Sequence, residues 1–327
     1  MTTTIRRIFL VMNPASRGGK SARTFSTIKQ FFDRAGISYT CSITKSLDDA
    51  TAMTQKACDE SYDTVVAVGG DGTINRVING FFSPEGTLRS STTRMGVIHT
   101  GTSPDFCRSY GIPTELDAAC TTVCDGSVRR IPLGTINFTK NIGKHDHITD
   151  ANETATSFFG CCANIGLGAS LANAANSGIR KILGDSIGTF CALLRVLAGY
   201  RPSTIEIVLD GNRTMQNRVY NMSIGRTYYI ASGIKIANTL TDADNRFYAL
   251  TVRNLSLRTL PLCLYALYSG KPFPQKEIFR FDYGRHFTLS SPDTVAVEFD
   301  GDAAGFLPCT VAIAPDRLPL ICGSSHA

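Results

Sequence analysis

The sequence has no apolar run approaching the roughly 20 residues that a bilayer-spanning helix needs, so no membrane span is expected. Met1 to Arg7 is polar, and the apolar stretch Ile8 to Met12 is too short for a signal-peptide core. Both points lead to the expectation of a soluble, cytoplasmic protein. There is no Lys/Arg stripe and no basic motif interleaved with aromatics, which excludes nucleic acid as a partner. The net charge of +6 is mild, and it suits an anionic membrane surface or a polyphosphate. Cys161-Cys162 has no second pair at zinc-finger spacing, so no zinc site is expected. The 11 cysteines are an odd count, and Cys120, Cys124, Cys191 and Cys263 fall in apolar or helical stretches. They read as reduced, buried thiols rather than as a disulfide framework. Repeats and low-complexity tracts are also lacking.

What is present is an ordinary globular composition, 43% hydrophobic and 18% charged, in 327 residues, enough for two cores. The first 130 or so residues alternate strand and helix signals. Arg6 to Met12 is a β-branched and aromatic run that stops at the turn pair Asn13-Pro14. Ser21 to Ala35 reads as a helix with Phe25, Ile28, Phe31 and Phe32 on one face and Gly36 as its stop. Ser38 to Ile43 is a strand, Asp48 to Ser61 a helix, and Thr64 to Val68 a buried strand. A helix over Thr73 to Phe82 and a strand over Met95 to His99 follow. This alternation predicts an α/β, doubly wound (Rossmann-like) parallel sheet over 1–132, with about 310–327 able to pack back on it.

From 133 to 309 the pattern changes to period-2 segments: Phe158 to Asn164, Thr204 to Leu209, Arg218 to Ile224, Phe247 to Val252, and further strands between Phe279 and Phe299. Helices are expected at Ile179 to Leu197 and Leu255 to Tyr268, the latter unusually apolar with Pro261 inside it. The whole predicts a second, mainly antiparallel β-sandwich domain. Thr139 to Thr156 reads as a polar hairpin loop, and its His145 and His147 have no further ligands at site-like spacing.

The chemistry centres on Gly69-Gly70-Asp71-Gly72-Thr73, placed between a strand and a helix start. Glycines there permit positive φ and close backbone approach. The following helix N-terminus and successive N–H groups favour phosphate oxygens. A carboxylate at Asp71 would repel a bare phosphate; it suits handling a proton or a water-bridged magnesium. The spacing matches neither the Walker loop nor G-x-G-x-x-G.

Asn13-Pro14-Ala15-Ser16, the GGDGT turn with Asn75, Gly101 to Arg108, and Asp300-Gly301-Asp302 occur in an order that resembles the diacylglycerol kinase catalytic-domain family, bacterial lipid kinase branch. That branch is related to sphingosine kinases and, more distantly, to NAD kinases. The resemblance implies an ATP- and Mg2+-dependent kinase with its active site in the cleft between two domains. It implies a nucleotide site lined by Asn13, Pro14, Ser16, Thr44, Gly69, Gly70, Asp71, Gly72, Thr73, Asn75 and Thr102. It implies a substrate-activating carboxylate at Asp302 or Asp300. It also implies a water-mediated magnesium site at Asp244, completed by the carbonyls of Thr241 and Arg246. Five positions depart from the family's pattern: Arg76 in place of glutamate, Ser103-Pro104 in place of glycine and asparagine, Asn245 in place of glycine, and Asp302 in place of glutamate.

In a strand, residues two apart face the same way, so Asp300 and Asp302 could present both carboxylates to one cleft. The alternative for Asp-Gly-Asp is a hairpin turn. The expected function is phosphorylation of a diacylglycerol-like lipid at the inner membrane surface, with a homodimer left open. The alternatives are a kinase of a soluble small molecule and an ATP- or lipid-binding protein with weak or lost catalysis.

Overall fold

Ile8–Met12 is buried at every position, as is Thr64–Gly69, which is how strands read when helices cover both faces of a parallel sheet. The computed structural model describes residues 7–140, 153–170, 199–231, 233–256, 258–273 and 277–323, without the side chains of Arg17, Lys20, Asp302 and Ala303. The chain divides into two units, one of residues 1–133 and 314–327, the other of residues 134–313.

The first unit holds β1 (Ile8–Met12), α1 (Phe25–Arg34), β2 (Tyr39–Ile43), α2 (Leu47–Asp59), β3 (Thr64–Gly69), α3 (Asp71–Gly80) and β4 (Arg94–His99). After these come α4 (Asp105–Tyr110), α5 (Leu116–Asp125) and β5 (Ser127–Ile131). The strand order is β2-β1-β3-β4, parallel throughout, and then β18 (Leu318–Cys322) and β5. β18 is parallel to β4 and antiparallel to β5, so the end of the chain completes this sheet and makes it mixed, mostly parallel. Alternate strand residues Ile8, Leu10, Met12, Val66, Val68 and Ile98 pack with Phe25, Ile28 and Phe32 of α1 and with Ala119, Cys120 and Val123 of α5. On α3, a Cβ added at Gly80 would lie 2.4 Å from Thr54 of α2, so these two helices lie against one another.

The predicted helix over Ser21 to Ala35 is two elements: a 3-10 segment over Ser16–Thr24 that runs directly into α1. Helix α2 starts at a capping box, in which the Ser46 hydroxyl takes the Asp49 N–H and the Asp49 carboxylate takes the Ser46 N–H.

The second unit contains β6 (Gly134–Thr139), β7 (Thr154–Phe159), β8 (Cys162–Gly166), β9 (Ser203–Leu209), β10 (Asn212–Gly225), β11 (Tyr229–Ile230) and β12 (Ile234–Lys235). β13 (Phe247–Arg253), α6 (Leu260–Ser269), β14 (Phe279–Gly284), β15 (His286–Ser290), β16 (Ala296–Phe299) and β17 (Asp302–Ile313) complete it. Its main sheet is antiparallel, and it closes. β10 shifts register between Gln216 and Val219; its first half pairs with β9, its second half with β8 and β13. The ring β10-β8-β16-β17-β15-β9 returns to β10, so the expected antiparallel β domain is barrel-like. Closure removes open sheet edges. Ala163, Ile165, Met222, Ile224, Phe287, Leu289, Val297 and Phe299 share its core.

The expected single strand over Phe158 to Asn164 is broken at Gly160 and Cys161, where β7 turns into β8. The hairpin expected around Thr139 to Thr156 is formed by β6 and β7, while His145 and His147 lie outside the described residues. So does the expected helix Ile179 to Leu197. The helix expected to begin at Leu255 begins at Leu260, which places Pro261 in its first turn, where the missing N–H costs no hydrogen bond. No helix among the described residues is long and apolar enough to cross a membrane. All ten described cysteines are free thiols, and nine are buried.

Candidate active site

The sequence-predicted nucleotide residues of the first unit fall at one edge of its sheet. Asn13 follows β1, Thr44 follows β2, Gly70 follows β3 and Thr102 lies in the segment after β4. These are the carboxyl ends of four parallel strands. In the order β2-β1-β3-β4 the chain reverses its winding between β1 and β3, and ligands of open α/β sheets bind outside that switch point.

One side-chain hydrogen bond spans it: Asn13 Nδ2 donates to Thr73 Oγ1 at 2.8 Å, with both residues buried. Asn13 Oδ1 accepts from Ala15 N at 3.0 Å, which fixes the turn leading to Pro14 and Ser16. The Asn13 N–H donates to Val68 O at 2.9 Å, and the Thr44 N–H to Met12 O at 2.9 Å.

The glycine turn works by proximity rather than by conformation. None of Gly69, Gly70 and Gly72 has positive φ, contrary to one half of the expectation. A Cβ at Gly69 would sit 2.4 Å from Thr73 Oγ1, and one at Gly101 would sit 2.6 Å from Gly70 Cα. The turn and the segment after β4 are therefore in close backbone contact. Gly70 is the N-cap of α3 and brings no side chain of its own to that end, and the N–H groups of a helix's first turn favour an anion.

Several contributors to this site carry no motif of their own. Ser21, buried in the 3-10 segment, donates to Thr100 Oγ1 at 2.9 Å and ties that segment to the loop holding Thr102. His99 Nε2 lies 3.7 Å from Asp71 Oδ1, and its ring would lie 3.1 Å from a Cβ at Gly101. A histidine at the end of a strand, two residues before the glycine loop, is the signal that could have marked it. Asn75 is fully buried and accepts from Asn79 Nδ2 through both its carbonyl and its side-chain oxygen. Arg76, at the position expected to hold glutamate, has Nε 3.7 Å from Asp48 Oδ1 beside α2.

In the second unit, Asp300 and Gly301 have φ of 49° and 89° and form the two-residue turn joining β16 to β17, with Phe299 opposite Asp302. The strand alternation that would have aimed both carboxylates one way does not apply, because Asp300 lies in the turn and not in a strand. Its carboxylate accepts from the N–H groups of Gly160, Cys161 and Cys162 at 2.7, 2.8 and 3.2 Å, anchoring the hairpin to the β7–β8 turn. Asp302 opens β17, and its side chain lies outside the described residues.

Beside this hairpin, Glu298, Asn164 and Ser223 stand opposite one another on β16, β8 and β10. Buried Glu298 accepts from Asn164 Nδ2, and Asn164 Oδ1 accepts from Ser223 Oγ at 2.5 Å. The network gives a buried carboxylate its hydrogen bonds. Sequence reasoning missed it, because three isolated polar residues in apolar strands have no local spacing.

The expected magnesium segment can be tested on its oxygens. Asp244 Oδ2 accepts from Thr241 N and Thr241 Oγ1, both at 2.9 Å, and Asp244 Oδ1 accepts from Arg246 Nη2 at 3.0 Å. The Thr241 N–H, followed by the Arg246 side chain, draws its carboxyl down to about 2. The carbonyls of Thr241 and Arg246, expected as metal ligands, both accept from the guanidinium of Arg226. The residues therefore do not fit a magnesium ion. Among the described residues no group of three or more His, Cys, Asp or Glu could hold a metal.

A glycine turn and a helix N-terminus at the switch point of a mostly parallel sheet, followed in the chain by a closed antiparallel β unit, define a two-unit α/β protein of the nucleotide-handling kind. Residues 7–136 match the Diacylglycerol kinase catalytic domain, and residues 162–322 match the YegS C-terminal NAD kinase beta sandwich-like domain. Residues 7–136 thus carry the catalytic domain of the diacylglycerol kinases, a kinase family, and kinase chemistry implies use of ATP. It is 25% identical over 307 residues to the diacylglycerol kinase of Bacillus subtilis (strain 168), covering 93% of this chain and 92% of that one. It is 23% identical over 306 residues to the diacylglycerol kinase of Staphylococcus aureus (strain MRSA252), covering 93% and 88%. The crystal structure of a diacylglycerol kinase from Bacillus anthracis str. Sterne shares the fold, with a TM-score of 0.68 at 17% identity over 100% of both chains.

Proposed function

We propose that the protein is a lipid kinase that transfers the γ-phosphate of ATP to a lipid hydroxyl, with a diacylglycerol-like acceptor. The observation that carries this reading is the Asn13–Thr73 hydrogen bond across the switch point, with Gly70 held against Gly101 at the head of α3. Phosphoryl transfer needs positioning, charge neutralisation and a proton acceptor more than covalent help.

Each part has an assignment in this reading. Asn13, Pro14, Ser16, Thr44, Gly69 to Thr73, Asn75 and Thr102 hold the nucleotide, with the N–H groups at the start of α3 turned to phosphate oxygens. Magnesium carried by the nucleotide supplies screening of the phosphate charge. Asp71, steadied by His99, faces that charge rather than a bare phosphate. Asp302 accepts the proton as the lipid oxygen bonds to the γ-phosphorus and the bond to the ADP oxygen breaks. Asp300 keeps the turn that presents Asp302.

The outer side of α6 supports action at the inner membrane surface. Leu260, Cys263 and Ala266 are buried, whereas Leu262, Tyr265 and Tyr268 are exposed, the tyrosines by 62% and 49%. A helix that buries one face and offers leucine and tyrosines on another suits a bilayer interface.

A second reading, nucleotide binding with weak or lost transfer, is favoured by Arg76, which brings a cation where the family pattern has a carboxylate. A panel of lipids in vesicles, incubated with ATP and analysed by mass spectrometry, tests both. Phosphorylated diacylglycerol supports the proposal. ATP binding without any phosphorylated lipid supports the second reading, and transfer to a soluble alcohol in the absence of vesicles would overturn the lipid assignment.

A further inference from the structure

The loop between β12 and β13 is organised around a cation, and the cation is a side chain of this protein. Arg226, at the end of β10, sends Nη2 to Thr241 O at 2.8 Å and Nη1 to Arg246 O. One planar group thus gathers the two carbonyls at either end of the segment Thr241 to Arg246. Between them Asp244 closes the segment on itself through Thr241 and lies against Arg246. Two backbone carbonyls and an acidic side chain are an oxygen set of the kind that holds a hard divalent ion. Here the carbonyls are occupied by a donor that is always charged and whose fork has fixed geometry.

We propose that the Arg226 guanidinium stands in for a bound divalent cation, so that this loop is held without metal. The protein then needs magnesium only for the nucleotide it handles, not for the integrity of the β12–β13 loop. The inference does not depend on which acceptor is phosphorylated, or on whether transfer occurs at all.

The test is thermal unfolding of the full chain, without nucleotide, in magnesium chloride and in EDTA. The wild-type midpoint is expected to be the same in both. Arg226→Ala empties the fork and is expected to lower the midpoint in EDTA by about 2–4 °C, an ordinary shift for the loss of one charged hydrogen-bonding group in a unit of this size. Magnesium chloride alone is expected to recover part of that loss in Arg226→Ala and none of it in the double variant Arg226→Ala/Asp244→Asn. Two results would overturn the proposal: a magnesium-dependent rise in the wild type that Asp244→Asn abolishes, or no magnesium response in Arg226→Ala. If Arg226→Ala does not fold, Arg226→Lys decides together with the wild type. A retained ammonium is expected to leave the midpoint indifferent to magnesium, and a magnesium-dependent rise in that variant would count against the assignment.

Discussion

The carboxylate of Asp300 takes three backbone N–H groups, so replacing it removes the acceptor that three donors of one turn share. Asp300→Ala is expected to cost about 2 kcal/mol, read as a lower urea midpoint. Asp302→Asn is expected to keep the wild-type midpoint and lose transfer, which separates the two acids that the sequence presents as a pair. Asn13→Ala removes the bond to Thr73 and is expected to raise the KM for ATP about tenfold, with a smaller change in kcat, since about 1 kcal/mol or slightly more of site organisation is lost. At this scale the motifs made the site legible where the chemistry is contiguous, as in the turn from Gly69 to Thr73. Asn13 and Thr73 are 60 residues apart and are joined only by strand order. The side chain of Arg226 could not be read at all, because nothing local tells an arginine which carbonyls the fold will bring to it.

Helix ends and faces govern the next scale. Glu115 caps α5 by accepting from the N–H groups of Ala118 and Asp117, and these hold its carboxyl below its ordinary 4.5. Asp49 in the capping box of α2 is likewise held below 3.8, chiefly by the N–H groups of Ser46 and Lys45. A carboxyl lowered on folding stabilises the folded state above its unfolded pKa, and that contribution fades as pH falls through the lowered value. The first unit is therefore expected to lose stability on acidification below about pH 4.5, and Asp49→Asn with Glu115→Gln to flatten that limb in a pH series of denaturant midpoints. A pair of changes on α6, Tyr265→Ser and Tyr268→Ser, is expected to weaken vesicle sedimentation with no change in unfolding midpoint. The elements of the first unit were legible because their apolar periodicity and stop signals agree. The strand break at Gly160 and Cys161 and the late start of α6 were not. A tight turn anchored by a distant aspartate, and a proline tolerated in a first turn, leave the local pattern unbroken.

On the scale of the whole molecule, the chain leaves its first unit after Leu133 and returns to it at Ala314. β18 lies between β4 and β5, so truncation after Ile313 is expected to open the six-stranded sheet and yield no folded first unit, as judged by near-ultraviolet circular dichroism. The pairing that closes the second unit into a ring was hidden from the sequence, because closure depends on the register shift within β10 and not on composition. Burial raises the thiols of Cys58, Cys120 and Cys309 to about 12 and that of Cys263 to about 11, so little thiolate forms near neutrality. Among the ten described cysteines, half-buried Cys41 is expected to be alkylated first in the native protein. The claim that joins these scales is transfer of phosphate from ATP to a lipid hydroxyl. Its most direct test is γ-labelled ATP with diacylglycerol-bearing vesicles, following label into the organic phase for the wild type and for Asp302→Asn. The account predicts label in phosphatidic acid with the wild type and almost none with Asp302→Asn. Label that appears only as inorganic phosphate, or an Asp302→Asn protein as active as the wild type, would contradict it.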